Sequence, residues 1–410
     1  MLRVDSMRMR ESFEKLSSFG MERDGSVNRI AFSQAFLGAR EWLEEEFRFA
    51  GLETRVDAAG SIFGRLSGAG EVVMVGSHLD SVPNGGRFDG ALGVAAGLEC
   101  VRVLQEKLPE QHRPVEVAAF SDEEGSYYSL LGSHAMTGTV DVESLGRLDG
   151  SQAAGLEAAL GRSGSKIGSL RDAERCMGEI CAYLELHIEQ GPRLASSGIP
   201  IGIVDSIVGL VHYTVTFNGE ADHAGTTPMS SRRDALLGAA EFVLAASEWV
   251  TESHPGSTFN AGSVDVSPGA VNIVPREAKL SIEFRGATPQ LIADLGKGIL
   301  SIGEQVARGR QLSFAATHMS TDSPVSLSRR VRTLLEETAK DLGFDYAVMH
   351  SGAGHDAQAI APFTDAGVVF VPSVGGKSHC PEEETRWEDA EKGASVLLNS
   401  LARLATDWGV

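Results

Sequence analysis

Apolar residues along the chain form short continuous runs, separated by stretches with helical spacing. Residues 91–108 carry apolar side chains along one stripe and predict a helix, and residues 31–49 predict an earlier helix that ends at Gly51. Four runs predict strands, and three of them are almost wholly apolar, which is typical of strands covered on both faces. They are VVMVG (72–76), VEVAAF (115–120), YLELHI (183–188) and VVFVP (368–372). The succession of strand, helix and strand indicates an α/β layered sheet.

A second pattern occupies residues 207–322. Here YTVTFNGEAD and KLSIEFRG alternate apolar with polar residues, as in strands with one face in water, and helical stretches occur at 235–250 and 289–308. Two such strand–helix units predict a small α+β domain. The helical pattern of VRTLLEETAKDLGF and a buried strand follow it. We therefore predict a discontinuous α/β domain of residues 1–206 and 323–410, with a mixed, mostly parallel sheet covered by helices, and an inserted domain of residues 207–322.

Composition narrows the classes of partner. The 410 residues include 36 basic and 56 acidic side chains, so the formal net charge is −20 at pH 7. This balance argues against binding nucleic acid or an anionic membrane, because no basic surplus neutralises phosphates. No apolar run reaches the ~18 residues that cross a bilayer, and four cysteines in so long a chain do not make a disulfide framework. We expect a cytoplasmic protein with reduced thiols.

Candidate chemistry follows the predicted buried strands. Ligands bind outside the carboxyl ends of strands in open α/β sheets, so side chains at these ends are expected to converge. Each feature alone is weak, since a His-X-Asp pair, an acidic pair or a histidine within a strand is usually structural or solvated. Their coincidence at four strand ends favours a site for divalent metal ions. The residues are His78 and Asp80, Asp89 at the start of the following helix, Glu123 and Glu124, His187, and His379.

Several sequence blocks resemble the amidase/hydantoinase/carbamoylase family of binuclear metal hydrolases, which is related to the aminoacylase and carboxypeptidase metallopeptidases. The blocks occur in the family's order from about residue 76 to 384, and together they are highly specific. They are GSHLDSVPNGGRFDGALGV, SDEEGS, ELHIEQGP, GEADHAGTTPMSSRRDA, SGAGHDA and FVPSVGGKSHCPEE. The resemblance implies a ferredoxin-like inserted domain that acts as lid and dimerisation domain, and a homodimer.

The resemblance also implies two divalent metal ions, and Zn, Mn, Co or Ni would each suit the nitrogen and oxygen ligands. Asp89 would bridge the ions, with His78 and His187 completing one site and Glu124 and His379 the other. A shared carboxylate offsets much of the repulsion between two close cations. Asp80 would hold the ring of His78. Glu123 would be the general base, taking a proton from water and delivering it to the leaving nitrogen.

Substrate contacts are implied in the same way. His223 would stabilise the carbonyl oxygen across the dimer interface, and Arg285 would bind a substrate carboxylate through its guanidinium fork. Gln190, Asn272, Gly354 and His355 match positions that line the pocket. The expected substrate is a small ureido or amide compound that carries a carboxylate.

The leading hypothesis is hydrolysis of N-carbamoyl-L-amino acids to the amino acid, carbon dioxide and ammonia. The alternatives are allantoate amidohydrolase, hydrolysis of ureidopropionate, peptidase-like amide cleavage, and a catalytically silent metal- or ligand-binding protein. A dinucleotide oxidoreductase is excluded because no GxGxxG follows the first strand. Departures from the family's usual residues bear on the substrate, and they are Tyr127, Tyr128, Arg276 and Cys380.

Overall fold

The computed structural model describes residues 1–108, 112–140, 142–145 and 150–407, and the chain divides into two compact units. Unit 1 comprises Met1–Asp205 and Ser326–Val410, and unit 2 comprises Ser206–Val325. The predicted division after residue 206 and before residue 323 thus lies one and three residues from the observed one. Within the described residues, none of the helices is long and apolar enough to span a membrane.

Unit 1 is built on a nine-stranded mixed sheet. The strands are β1 (Glu53–Val56), β2 (Ile62–Leu66), β3 (Val72–His78), β4 (Val115–Phe120), β5 (Ile180–Ile188), β6 (Ile201–Ile207), β11 (Val325–Ser326), β12 (Tyr346–Ser351) and β13 (Asp365–Val371). Their order in the sheet is β1-β2-β4-β3-β5-β13-β6-β11, and β12 also pairs with β6. The four central strands, β4, β3, β5 and β13, are mutually parallel, whereas β1, β2 and β6 join the sheet by antiparallel pairing. The predicted mixed α/β fold is confirmed.

The described helices of unit 1 are α1 (Ser6–Ser18), α2 (Gln34–Phe49), α3 (Ala91–Lys107), α4 (Leu131–Met136), α5 (Val142–Leu145), α6 (Gly150–Arg162), α7 (Arg193–Ser197), α10 (Arg329–Asp341), α11 (Asp356–Ile360) and α12 (Trp387–Asp407). Of these, α2, α3, α4, α10, α11 and α12 pack on strands of the sheet. Helix α3 is buried from Ala91 to Leu104, because it packs on strands of the sheet and beneath α1 and α12. Full burial of each Leu or Val side chain contributes roughly 1.5–3 kcal/mol, which fixes the strand ends next to it.

The elements of unit 2 are β7 (Gly209–Asn218), α8 (Ala235–Ser253), β8 (Thr258–Ser267), β9 (Glu277–Gly286), α9 (Pro289–Gly309) and β10 (Ser313–Asp322). Its four strands form an antiparallel sheet with the order β10-β7-β9-β8. The succession βαββαβ is that of the ferredoxin-like fold. Helix α8 begins after the N-cap Asp234, and α9 after Thr288, whose hydroxyl accepts the Leu291 N–H. Both helices cover the apolar face of the sheet that the alternating pattern predicts.

Candidate metal centre

Four parallel strands bring the predicted site residues to one edge of the unit 1 sheet. Strand β3 ends at His78, which is paired with Phe120 at the end of β4. Strand β5 carries His187, which is paired with Phe370 of β13. Because parallel strands present their carboxyl ends at the same edge, the residues that follow them meet there.

Asp89 lies at the centre of the cluster, and its two carboxylate oxygens face different partners. Its Oδ1 is 3.1 Å from His78 Nε2 and 2.9 Å from His187 Nε2. Its Oδ2 is 3.2 Å from His379 Nε2, which in turn is 3.5 Å from Glu124 Oε1. The ligand atoms of His78, Asp89 and His187 all lie within 4.8 Å of one another, as do those of Asp89, Glu124 and His379. Two of the candidate sets of metal-binding side chains therefore share one carboxylate.

The two buried imidazoles point their Nε2 atoms at the centre of the cluster. His78 Nδ1 is 3.1 Å from the carbonyl oxygen of Asp80, and His187 Nδ1 is 2.9 Å from that of Ile188. A carbonyl oxygen only accepts, so each Nδ1 carries a proton, and in the neutral ring each Nε2 then offers its lone pair. The two Nε2 atoms are 3.4 Å apart. This is the tautomer that metal-binding histidines adopt when the other nitrogen is hydrogen-bonded.

The side chain of Asp80 makes different contacts from the predicted one with the ring of His78. Its carboxylate Oδ1 is 4.0 Å from His78 Nδ1, so the ring is held by the backbone carbonyl of Asp80 and not by its side chain. The carboxylate instead accepts the backbone N–H groups of Glu123 at 3.1 Å and Glu124 at 3.2 Å. Asp80 therefore fixes the backbone of the acidic pair, while its carbonyl orients His78.

Glu123 and Glu124 place two more carboxyl groups in the cluster. Glu123 is 8% exposed, and its Oε2 lies 3.9 Å from His78 Nε2. Burial raises the pKa of Glu123 well above its ordinary value. Burial, together with the charge of Asp89, raises the pKa of Glu124 to about 7. The cluster thus concentrates carboxyl groups that resist ionisation unless positive charge is close to them.

These residues fit divalent cations. Glu124 Oε1 is buried and has no hydrogen-bond partner within the described part of the chain. The Nε2 atoms of His78 and His187 face each other, and both also face Asp89 Oδ1. Nitrogen and oxygen ligands in this mixture suit Zn²⁺, Mn²⁺, Co²⁺ and Ni²⁺. A cation would satisfy the exposed lone pairs and offset the cost of the buried carboxylates.

The turn before α3 sets the approach of Asp89. Gly90 has φ +66, in the left-handed region, and a Cβ at this position would lie 2.5 Å from the His78 carbonyl oxygen and 2.6 Å from its ring. Only glycine allows the chain to pass this close to His78 and still begin the helix at Ala91. The glycine in the motif FDG is thus required by the geometry of the site.

Of the predicted pocket residues in unit 1, Gln190 lies within the cluster itself. Its Nε2 is 2.8 Å from Asp89 Oδ2 and 3.3 Å from His379 Nε2. His355 is completely buried, and its ring centroid lies 4.5 Å from that of His187, so its contact with the substrate stays a prediction. Burial also lowers the pKa of His355 well below its ordinary value. It therefore supports His187 as a neutral ring, and the half-buried Gly354 precedes it.

Unit 2 carries the other three predicted residues. His223 and Asn272 are exposed and adjacent, since the Ala224 N–H donates to the Asn272 carbonyl at 2.9 Å. His223 Nδ1 accepts the Gly225 N–H at 3.1 Å, which leaves the proton of a neutral ring on Nε2. Arg285 lies near the end of β9, paired with Leu210 of β7.

Two residues beside the centre were missed by the sequence analysis. Ser378 Oγ is 3.2 Å from Asp89 Oδ2 and 2.7 Å from Glu383 Oε2. Glu383 is 3% exposed. The only sequence signal was the acidic run of residues 382–384 shortly after His379, and such a run usually belongs to a solvated loop.

A model of peptidase family M20/M25/M40 matches residues 74–403. The chain belongs to the M20/M25/M40 family. This member is therefore a hydrolase, and its His, Asp and Glu cluster is compatible with the metal site of a metallohydrolase. The resemblance to metal hydrolases related to the metallopeptidases is confirmed at the level of the family.

Characterised relatives of this M20/M25/M40 member are similar over nearly the whole chain. It is 36% identical to an N-carbamoyl-L-amino acid amidohydrolase of Geobacillus stearothermophilus, covering 98% of this chain and 99% of that one. It is 34% identical to an allantoate amidohydrolase of Bacillus subtilis, covering 96% of each. A hydantoinase/carbamoylase family amidase of Burkholderia multivorans superposes with a TM-score of 0.88 at 32% identity, covering 99% of each chain. Amidohydrolase activity is therefore supported.

Proposed function

We propose that this protein is a binuclear metal-dependent amidohydrolase that cleaves the linear C–N bond of N-carbamoyl-L-amino acids. The observation that carries the proposal is Asp89, whose Oδ1 faces His78 and His187 while its Oδ2 faces His379. We assign one metal ion to His78, His187 and Asp89, and the second to Asp89, Glu124 and His379. The ligand set does not distinguish Zn, Mn, Co and Ni.

The bound ions would supply Lewis acidity, which polarises a ureido carbonyl and lowers the pKa of water. Glu123 is the proposed general base because it is buried beside the ligand set and lies outside the two three-residue sets that share Asp89. A carboxyl group whose pKa is raised by burial holds a proton more tightly at neutral pH than an exposed one. Glu123 would take one proton as water adds to the carbonyl carbon, and then donate it to the leaving nitrogen.

The reaction balances with one water molecule. The oxygen of water bonds to the ureido carbon, the bond from that carbon to a nitrogen breaks, and the nitrogen receives the proton that Glu123 held. The products are the amino acid and carbamic acid, which separates into carbon dioxide and ammonia. No electron transfer or further reactant is needed.

His223 is proposed to donate a hydrogen bond to the carbonyl oxygen as negative charge develops there. Its Nδ1 already accepts the Gly225 N–H, so the neutral ring presents Nε2–H as its donor. The resemblance implies that this histidine acts across a dimer interface, and we therefore propose a homodimer in which His223 of the partner subunit completes each site. Asn272, next to His223, is proposed to contact the same substrate.

Arg285 is proposed to bind the substrate carboxylate. Its Nε donates to Glu283 Oε1 at 2.6 Å, and Glu283 Oε2 is 2.8 Å from His212 Nε2. These contacts hold the guanidinium plane at the end of β9. Restraining the fork before the substrate arrives reduces the side-chain entropy that binding must offset. Further substrate contacts are proposed for Gln190, Gly354 and His355.

Allantoate is the second candidate substrate, because a relative of similar identity is an allantoate amidohydrolase. Allantoate and N-carbamoyl amino acids both carry a ureido group and a carboxylate, so the same apparatus would serve either. The cytoplasmic location expected from the sequence is also part of the proposal, and cell fractionation would test it.

The deciding experiment strips the protein with a chelator, reloads it with Mn²⁺, Zn²⁺, Co²⁺ or Ni²⁺, and measures ammonia release. The substrates are a panel of N-carbamoyl-L-amino acids, their D-enantiomers, allantoate and ureidopropionate. We expect stripping to abolish the activity, reloading to restore it, and an N-carbamoyl-L-amino acid to have the highest kcat/KM. A higher kcat/KM for allantoate would replace the proposed substrate. Full activity in stripped protein, or no hydrolysis with two ions bound, would refute the proposed function.

A further inference from the structure

Glu383 connects two loops of unit 1 that carry proposed metal ligands. Its Oε1 accepts the backbone N–H of Phe88 at 2.8 Å and that of Asp89 at 3.0 Å. Its Oε2 accepts the hydroxyl of Ser378 at 2.7 Å and the backbone N–H of His379 at 3.4 Å. One buried carboxylate therefore receives two donors from each loop.

The two loops are far apart in sequence and have unusual local backbone. Asp89 and His379 are separated by 290 positions, and His379 has φ +55, in the left-handed region that side chains other than glycine rarely adopt. Residues held in such conformations need support from the surrounding structure. The donors of the 378–379 segment end on Glu383, which follows in the same loop and also donates its own N–H to the Cys380 carbonyl.

Close packing around Glu383 fixes the position of its carboxylate. A Cβ on Gly86 would lie 2.1 Å from the Glu383 carboxyl carbon, so the Gly86 backbone passes directly over the carboxylate. The same carboxylate is 3% exposed, and burying a charge is costly unless hydrogen bonds compensate for it. Four donors from the two ligand loops provide that compensation.

We propose that Glu383 is a positioning residue that holds the Asp89 and His379 loops at the spacing required for two metal ions to share Asp89. The inference rests on the proposed metal ligands and adds a residue that acts on them only through backbone and hydroxyl donors. Hydrogen-bonded groups behind metal ligands typically change metal affinity by about 10–100-fold when they are lost.

Two variants distinguish whether Glu383 acts through the position of its oxygens or only through its negative charge. Glu383→Gln leaves one carbonyl oxygen, so only one loop keeps its acceptor while the other faces an NH₂ group. Glu383→Asp keeps the charge and both oxygens but withdraws them by about one carbon–carbon bond, ~1.5 Å. If Glu383 acted only through its negative charge, the aspartate would restore metal affinity. If it acts through position, the aspartate remains defective.

The test measures the affinity of stripped protein for Zn²⁺ and Mn²⁺ by competition with a chromophoric chelator. Glu383→Gln, Glu383→Asp and Gly86→Ala are compared with the wild type and with Glu382→Gln, a matched change at the exposed neighbouring residue. Urea unfolding of each stripped protein reports the fold without metal. We expect about a 10–100-fold rise in Kd for at least one ion in the first three variants. The Glu382→Gln protein should match the wild type.

Each outcome bears on the proposal. Wild-type affinity in both Glu383 variants would overturn it, and so would full recovery in Glu383→Asp. A rise in Kd in a variant whose stripped form unfolds at the wild-type urea concentration would support it. Should Glu383→Gln fail to fold, the Glu383→Asp and Gly86→Ala proteins decide by the same criteria. Failure of the wild type to bind two ions would instead refute the proposed function itself.

Discussion

Glu123→Gln separates the proposed base from the proposed ligands. The carboxylate and the amide have nearly the same shape, so the substitution leaves no cavity at this buried position. Loss of a general base typically lowers the rate by 10²–10⁴-fold. At 1.36 kcal/mol for each tenfold change, this is about 3–5 kcal/mol of transition-state stabilisation. The stripped variant should unfold at no lower urea concentration than the wild type, because burial makes the wild-type charge costly.

A second role for Glu123 is geometrically open and gives the opposite result. Ligand atoms of His78, Glu123 and Glu124 also lie within 4.8 Å of one another, so Glu123 is close enough to bind an ion. If it is the base, Glu123→Gln retains two ions per chain at saturating metal. If it is a ligand, one ion is lost. Glu124→Gln is the matched control, since it changes the adjacent proposed ligand and should lower metal occupancy.

The assay combines metal analysis of dialysed protein with kcat and KM for the best substrate of the panel. We expect two ions in Glu123→Gln, a KM within a few-fold of the wild type, and a kcat reduced by at least about 10². The acidic limb of the pH–rate profile should disappear in the variant, since the group that must be deprotonated is absent. An unchanged kcat, or loss of an ion, would remove Glu123 from the role of base.

Three further predictions concern the substrate contact, the turn at Asp89 and stability. Arg285→Ala should raise KM about tenfold to a hundredfold with little change in kcat, because a hydrogen bond to a charged group contributes ~1.5–3 kcal/mol. An equal rise in KM for a carboxamide analogue of the substrate would contradict this assignment. Gly90→Ala should weaken metal binding, and it should lower Tm by more than the control Gly178→Ala does. Gly178 has a similarly left-handed φ of +86, but a Cβ there would meet nothing within 4 Å. Equal effects of the two substitutions would show that the clash with His78 is unimportant. Burial raises the pKa of Asp57 to about 7, so its contribution to stability is present below its ordinary pKa near 4 and is lost as pH rises through 7. Asp57→Asn should therefore become more stable than the wild type above pH 7 in urea titrations, and an unchanged difference from pH 4 to 8 would refute the assignment.

Strand ends and their convergence were predictable because they follow from simple patterns. Strand β4 has the predicted bounds, Val115–Phe120, and α3 begins at Ala91 as predicted. Continuous apolar runs indicate strands buried on both faces, and parallel neighbours bring their carboxyl ends together. The cluster formed by five scattered side chains follows from this rule, while their identity as ligands came from the family resemblance.

Contacts made through the backbone were not predictable in the same way. The orientation of His78 depends on the carbonyl of Asp80, and any residue type supplies a carbonyl. Glu383 lies in an acidic run, and its burial, its hydrogen bonds and its packing over Gly86 distinguish it from the exposed Glu382. Burial of His355 depends on its packing against His187, to which no local pattern points.

The central claim is that Asp89 bridges two cations, and an anomalous-difference map of crystals grown with Mn²⁺ tests it most directly. We expect two peaks per chain about 3.5–4 Å apart. One should lie against Asp89 Oδ1 with His78 and His187, and the other against Oδ2 with Glu124 and His379. A single peak, or two peaks that do not share Asp89, would contradict the claim.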